Sequence, residues 1–139
     1  MMDLVSVWEK VEEWEEVELI KHYLNVEIAR TPSQHARGLM FRNKLEQDDG
    51  MLFKFKNPQN LKFWGVNTYI PLSIAFVSVD NVIEKISYIN PHNSSAITSD
   101  IDCNRAIEAN YDFFVKNEIK VGDKIEVVND NFKTFVKFI

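Results

Sequence analysis

Ile74-Ala75-Phe76-Val77-Ser78-Val79-Asp80-Asn81-Val82-Ile83-Glu84-Lys85-Ile86-Ser87-Tyr88 is the stretch on which the reading of the fold turns. Two runs rich in β-branched and aromatic residues, 74–79 and 82–88, are separated only by Asp80-Asn81. Such runs suit a pleated, half-buried surface, and a two-residue polar link with Asn suits a tight hairpin. The stretch therefore predicts two antiparallel neighbours.

Working outward, the same pattern recurs. Met51 to Phe55 and Leu61 to Val66 read as strands, with Asp48-Asp49-Gly50 as a turn before them. On the C-terminal side, Asn90 to Ser95 is a polar loop, Arg105 to Ala109 a strand, and Asn110 a cap for a short helix through Lys116. After a turn at Gly122-Asp123, Ile125 to Val128 and Phe132 to Phe138 form a closing hairpin. On the N-terminal side, Leu24, Val26 and Ile28 alternate with polar residues as a half-buried strand does. Thr31-Pro32 starts a short helix through Met40, because Thr caps and Pro suits the first helical turn. Many short strands with two or three short helices predict a mostly β (α+β) protein. Its sheet should be mostly antiparallel and curled into a small barrel or sandwich.

The chain has 139 residues, 45% hydrophobic and 27% charged, the size and balance of one globular domain. Residues 1–20 hold seven acids against one base, Lys10, so this segment carries −6 of a net −5 and the remainder is +1. Leu4, Val7, Trp8, Val11 and Trp14 fall at helical spacing within it. We therefore divide the chain into an acidic N-terminal helical appendage, 1–20, and one β-rich domain, 21–139. The apolar stripe of residues 4–15 either docks on its own domain or serves a protein partner or self-association. The like-charge pairs Glu9/Glu13 and Glu12/Glu16 make this helix weak unless it is packed.

The negative balance disfavours nucleic acid as a partner. No apolar run approaches the roughly 20 residues of a membrane span, so a membrane partner is not expected. The acidic start lacks the basic and apolar regions of a signal peptide, and the expectation is a cytoplasmic protein. A single cysteine, Cys103, rules out an internal disulfide. His22, His35, His92 and Cys103 show no metal-ligand spacing, and no Gly-rich phosphate loop occurs, so neither a metal nor a cofactor is expected. His35 is expected to be exposed on the short helix. Lysine far outnumbers arginine and asparagine is abundant, which suggests an AT-rich genome such as a viral one.

The residues that could carry chemistry lie mainly between 26 and 76. In order they are Thr31-Pro32-Ser33, Arg37-Gly38-Leu39-Met40-Phe41-Arg42, Gly50-Met51-Leu52-Phe53, Phe63-Trp64, Asn67-Thr68 and Ile70-Pro71-Leu72. Their order and spacing resemble the widespread prokaryotic family known as domain of unknown function 192. The resemblance implies that Arg37, Arg42, Trp64, Asn67, Thr68 and Glu108 share a surface. Three departures accompany it: Gly65 stands where the family usually has methionine, Ser73 where an aspartate usually follows Pro-Leu, and Asn110-Tyr111 where a glycine normally comes just beyond Glu108. Many members of the family look secreted or periplasmic, unlike this chain.

Each candidate has a structural reading beside the functional one. Arg37 and Arg42 can brace internal carboxylates or fork onto a ligand's carboxylate or phosphate. Trp64 can be core or pocket wall. Glu108 can pair with one of the arginines or act in a site. Three functions follow. The leading one is a non-catalytic binding module for a small anionic ligand or peptide, with Arg42 as anchor. The second is a structural or interaction protein with a buried polar brace. The third is an enzyme acting on an anionic substrate through Glu108 and an arginine.

Overall fold

A computed structural model describes residues 19–139. The predicted helix at 4–15 and nearly all of the acidic appendage lie outside the described residues. In chain order the elements are β1 (His22–Ala29), α1 (Pro32–Arg37), β2 (Asp49–Phe63), β3 (Leu72–Val77), β4 (Ile83–Ile89), β5 (Ile97–Asn110), α2 (Phe113–Lys116), β6 (Ile125–Asp130) and β7 (Lys133–Phe138). The strands form one seven-stranded sheet in the order β4-β3-β5-β2-β1-β7-β6. All neighbours are antiparallel except β1 and β2, which run parallel. The two edges approach at one end, where Val82 bridges Lys124 and the Ile83 N–H donates to the Asp123 carbonyl at 2.9 Å. The sheet is thus rolled into a half-barrel with two short helices. Among the described residues no helix is long and apolar enough to cross a membrane.

Strand alternation divides the apolar side chains between two clusters. Leu24, Leu52, Ile107, Val136 and Phe138 point inward, where Phe113 and Phe114 of α2 plug the curl. Phe53, Leu61, Leu72, Ile74, Phe76, Cys103 and Ala106 lie on the other face. β3 is buried along its whole length and serves both clusters, which is why it reads as a continuous apolar run.

The polar loop and the closing hairpin stand much as predicted. The hairpin 74–88 is present, but its connection spans residues 78–82 rather than Asp80-Asn81 alone, with Val79 exposed in the turn. Elsewhere the chain differs. The two strands expected at 51–55 and 61–66 are one 15-residue strand, β2, which ends at Phe63. Its partner β5 begins at Ile97, well before the expected Arg105. Lys56-Asn57-Pro58-Gln59-Asn60 looks like a turn because it is polar and holds a proline. Its register with β5 shifts between Lys54 and Gln59, so Pro58 interrupts no ladder bond where it lacks its N–H. Asp49 and Gly50 belong to β2 rather than to a turn. Asn110 does not cap α2. It ends β5, and its side-chain amide donates to the carbonyls of Leu45 and Glu46 at 3.0 and 2.8 Å. Asp112 takes the cap position.

α1 is shorter than predicted. Thr31 and Gln34 form a reciprocal capping box, and Pro32 sits in the first turn. The helix stops at Arg37 because Gly38 has φ +46°, a conformation that favours glycine. Gly38 also presses on the outer cluster, where an added Cβ would lie 3.3 Å from Phe53 Cζ.

Candidate functional site

Glu108 is placed by register. On β5 it stands between Met51 of β2 and Ile74 of β3. Its neighbours Ile107 and Ala109 face the inner core, so Glu108 faces the outer side with Ala106, Phe53 and Phe76. A carboxyl therefore sits in the middle of an apolar sheet face. It is only 5% exposed. No hydrogen bond or ion pair joins it to another described side chain, and burial pushes its pKa up to about 8. Neither expected arginine partner reaches it.

α1 and the segment after it cover this face and leave a pocket of about 340 Å³. Glu108, Phe53, Leu39 and Thr68 are its buried members. Phe55 and Phe63 of β2 stand against them, and the exposed Arg37, Lys62 and Trp64 form the mouth. Phe63 meets both of the other phenylalanine rings edge to face. Phe53 and Phe63 are 4.9 Å apart at 82°, and Phe55 and Phe63 6.3 Å apart at 86°. Arg37 and Lys62 make no ion pair with any described residue.

His35 fastens α1 over this pocket. It is half-buried rather than exposed, because its ring stacks on Phe55 at 4.1 Å and its Nε2 meets the carbonyls of Lys54 and Ala29 at 2.8 and 3.1 Å. Carbonyls only accept, so Nε2 carries the proton and donates to both.

Four of the six sequence candidates, Arg37, Trp64, Thr68 and Glu108, line this one pocket. Trp64 is 56% exposed, so it belongs to the wall and not to the core. The other two lie elsewhere. Arg42 forks onto Glu27 at 2.5 and 3.1 Å and lines a separate groove beside β1. Asn67 adopts φ +56°, and its carbonyl accepts from the Phe41 N–H at 2.9 Å. This ties the turn after β2 to the segment after α1 without bringing the Asn67 side chain to the pocket. Ser73 is fully buried on the opposite face from Glu108, and its hydroxyl donates to the Asn110 carbonyl at 2.7 Å.

Sequence reasoning missed His35, Phe55 and Lys62 as pocket residues. The alternation of Phe53, Phe55 and Phe63 along one strand was the available signal, and the false break at 56–60 hid it. Cys103 is fully buried, and burial first, then Glu84 and Asp102, push its thiol up. Among the described residues no three His, Cys, Asp or Glu side chains are grouped to hold a metal ion.

Fold and pocket define a small β half-barrel with a buried carboxyl under a helical cover. The chain belongs to the family described as "Uncharacterized ACR", domain of unknown function 192, whose model matches residues 15–127. Solved structures similar to it include two at 35% identity. One, from Sinorhizobium meliloti, is named provisionally as a transcription regulator. It is 35% identical, with 76% of this chain and 82% of that chain covered and a TM-score of 0.74. The other is a protein of unknown function from Novosphingobium aromaticivorans. It is also 35% identical, with 73% of each chain covered and a TM-score of 0.71. No curated protein matches the chain.

Proposed function

We propose that the pocket beneath α1 binds a small anionic molecule, with Arg37 at its mouth as the anchor and Trp64 and Thr68 as contacts. The observation that carries this reading is a pair of cations, Arg37 and Lys62, without ion-pair partners among the described residues, at the mouth of an aromatic-walled pocket. A planar guanidinium free of carboxylates is suited to fork onto a carboxylate or phosphate, including the terminal carboxylate of a peptide. Arg42, the anchor expected from the sequence, is engaged by Glu27 and would have to give up that pair first. A polar brace is less well supported, because Glu108 and Arg37 are not joined in a satisfied network.

The test is a thermal-shift screen of carboxylated and phosphorylated metabolites against wild type, Arg37→Ala and Arg42→Ala. A hit should weaken by about 1.5–3 kcal/mol in Arg37→Ala and persist in Arg42→Ala. If no anion moves the wild-type melting temperature, the binding reading is wrong.

A second reading draws on Glu108 itself. A carboxyl whose pKa lies near 8 exchanges protons at neutral pH, as a general acid or base does. Incubation of any hit with the protein, followed by mass spectrometry, separates this reading from plain binding.

A further inference from the structure

Resting on that binding reading, we propose that the ligand is zwitterionic. Its ammonium end enters first and rests against the Glu108 carboxyl among Phe53, Phe55 and Phe63, while its carboxylate stays at the mouth with Arg37. The site would take an amino-carboxylate of amino-acid size.

The inner end of the pocket motivates this. A simple organic anion would leave its apolar end beside a buried carboxyl that has no partner among the described residues. Such a group is costly to bury unless it gains a hydrogen bond or a counter-charge. Phe63 stands nearly perpendicular to both Phe53 and Phe55, and the three rings line the same pocket as the carboxyl. Ring faces attract cations, most strongly once water has been excluded. A carboxyl together with ring faces is the chemistry that holds an ammonium group. A plain cation would meet Arg37 and Lys62 on entry and be repelled. A molecule with its positive end inward and its negative end outward satisfies both ends of the pocket. The volume of about 340 Å³ lies at the small end of ligand sites, which suits a molecule of this size.

The arrangement also makes binding proton-linked. The other titratable or charged groups of the pocket are His35 and Arg37 from α1 and Lys62 from β2. With its pKa at about 8 the empty-pocket carboxyl is mostly protonated at neutral pH, whereas an ammonium partner requires the carboxylate. Binding below that pH therefore releases a proton from Glu108. Affinity should rise by up to about tenfold per pH unit and level off above about 8.

The experiment is calorimetry on the full chain with four probes: γ-aminobutyrate, ε-aminocaproate, caproate and butylamine. Titrations at neutral pH use two buffers of different ionisation heat. At least one amino-carboxylate is expected to bind about tenfold or more tighter than caproate and butylamine, with proton release. In Glu108→Gln, checked for an unchanged fold by circular dichroism, both the preference and the proton release should disappear. Caproate binding as tightly as the amino-carboxylates overturns this proposal and leaves the anion reading standing. Butylamine binding as tightly as they do overturns the anchor at Arg37. Failure of all four overturns this proposal, and the thermal-shift screen then decides the anion reading separately.

Discussion

Gly50 and Glu108 approach so closely across the β2–β5 pair that a Cβ built on Gly50 would lie 2.3 Å from the Glu108 carbonyl oxygen. It would also lie 2.8 Å from Leu24 Cδ2 in the inner core. The backbone that carries the pocket's carboxyl is therefore seated against the one residue type that leaves room for it. Gly50→Ala must push β5 or Leu24 aside. Overpacking of this kind costs about 1–3 kcal/mol. A denaturant midpoint no lower than wild type would show that β5 yields freely.

Glu108 should make stability depend on pH in an unusual direction for a carboxylate. Its folded pKa is raised from 4.5 to about 8, so the folded state holds the proton more tightly than the unfolded chain. The resulting stabilisation is complete below about 4.5, is lost as pH rises towards about 8, and is flat above. The loss is on the order of a few kcal/mol. Glu108→Gln should remove this slope, and urea midpoints measured across that window check it. Parallel profiles for variant and wild type would mean that water already solvates the carboxyl.

Arg37 and Arg42 should separate cleanly. The Arg42–Glu27 pair has side chains 36% and 58% exposed, so breaking it with Arg42→Ala should cost no more than about 1 kcal/mol and less in high salt. Arg37→Ala removes an exposed side chain without an ion pair among the described residues and should shift stability by at most about 0.5 kcal/mol. Chemical denaturation at low and high salt reads both, and a large salt-independent loss for Arg42→Ala would revive the brace.

Trp64 and Phe53 offer a paired test of wall against core. Phe53 is 1% exposed, and Phe53→Ala should cost about 3–5 kcal/mol. Trp64→Ala, at a site 56% exposed, should cost about 1 kcal/mol. Equal losses in denaturant titration would place Trp64 in the core after all.

Local signals in the chain were enough for several elements. The hairpin across Asp80-Asn81, the capped start at Thr31-Pro32 and the closing hairpin after Gly122-Asp123 each depend on residues adjacent in sequence. Their turn chemistry and side-chain alternation can be read without knowing what they pack against. The motif residues also pointed to the neighbourhood of the pocket, since Arg37, Trp64, Thr68 and Glu108 do line it.

Pairing at long range decided the rest. Lys56-Asn57-Pro58-Gln59-Asn60 is strand only because β5 lies alongside, and Thr98 to Asn104 is strand only because β2 does. The burial of Glu108 follows from strands β2 and β3 on either side of it and from α1 above, none of which its own neighbours in sequence reveal. The same holds for the two arginines. They are five positions apart, yet Gly38 turns the chain between them, so that Arg42 meets Glu27 of β1 while Arg37 stays at the mouth of the pocket. Residue type and spacing set which side chains can form an ion pair or a pocket. Which of them do so depends on the opposing surface, and only the folded sheet supplies that.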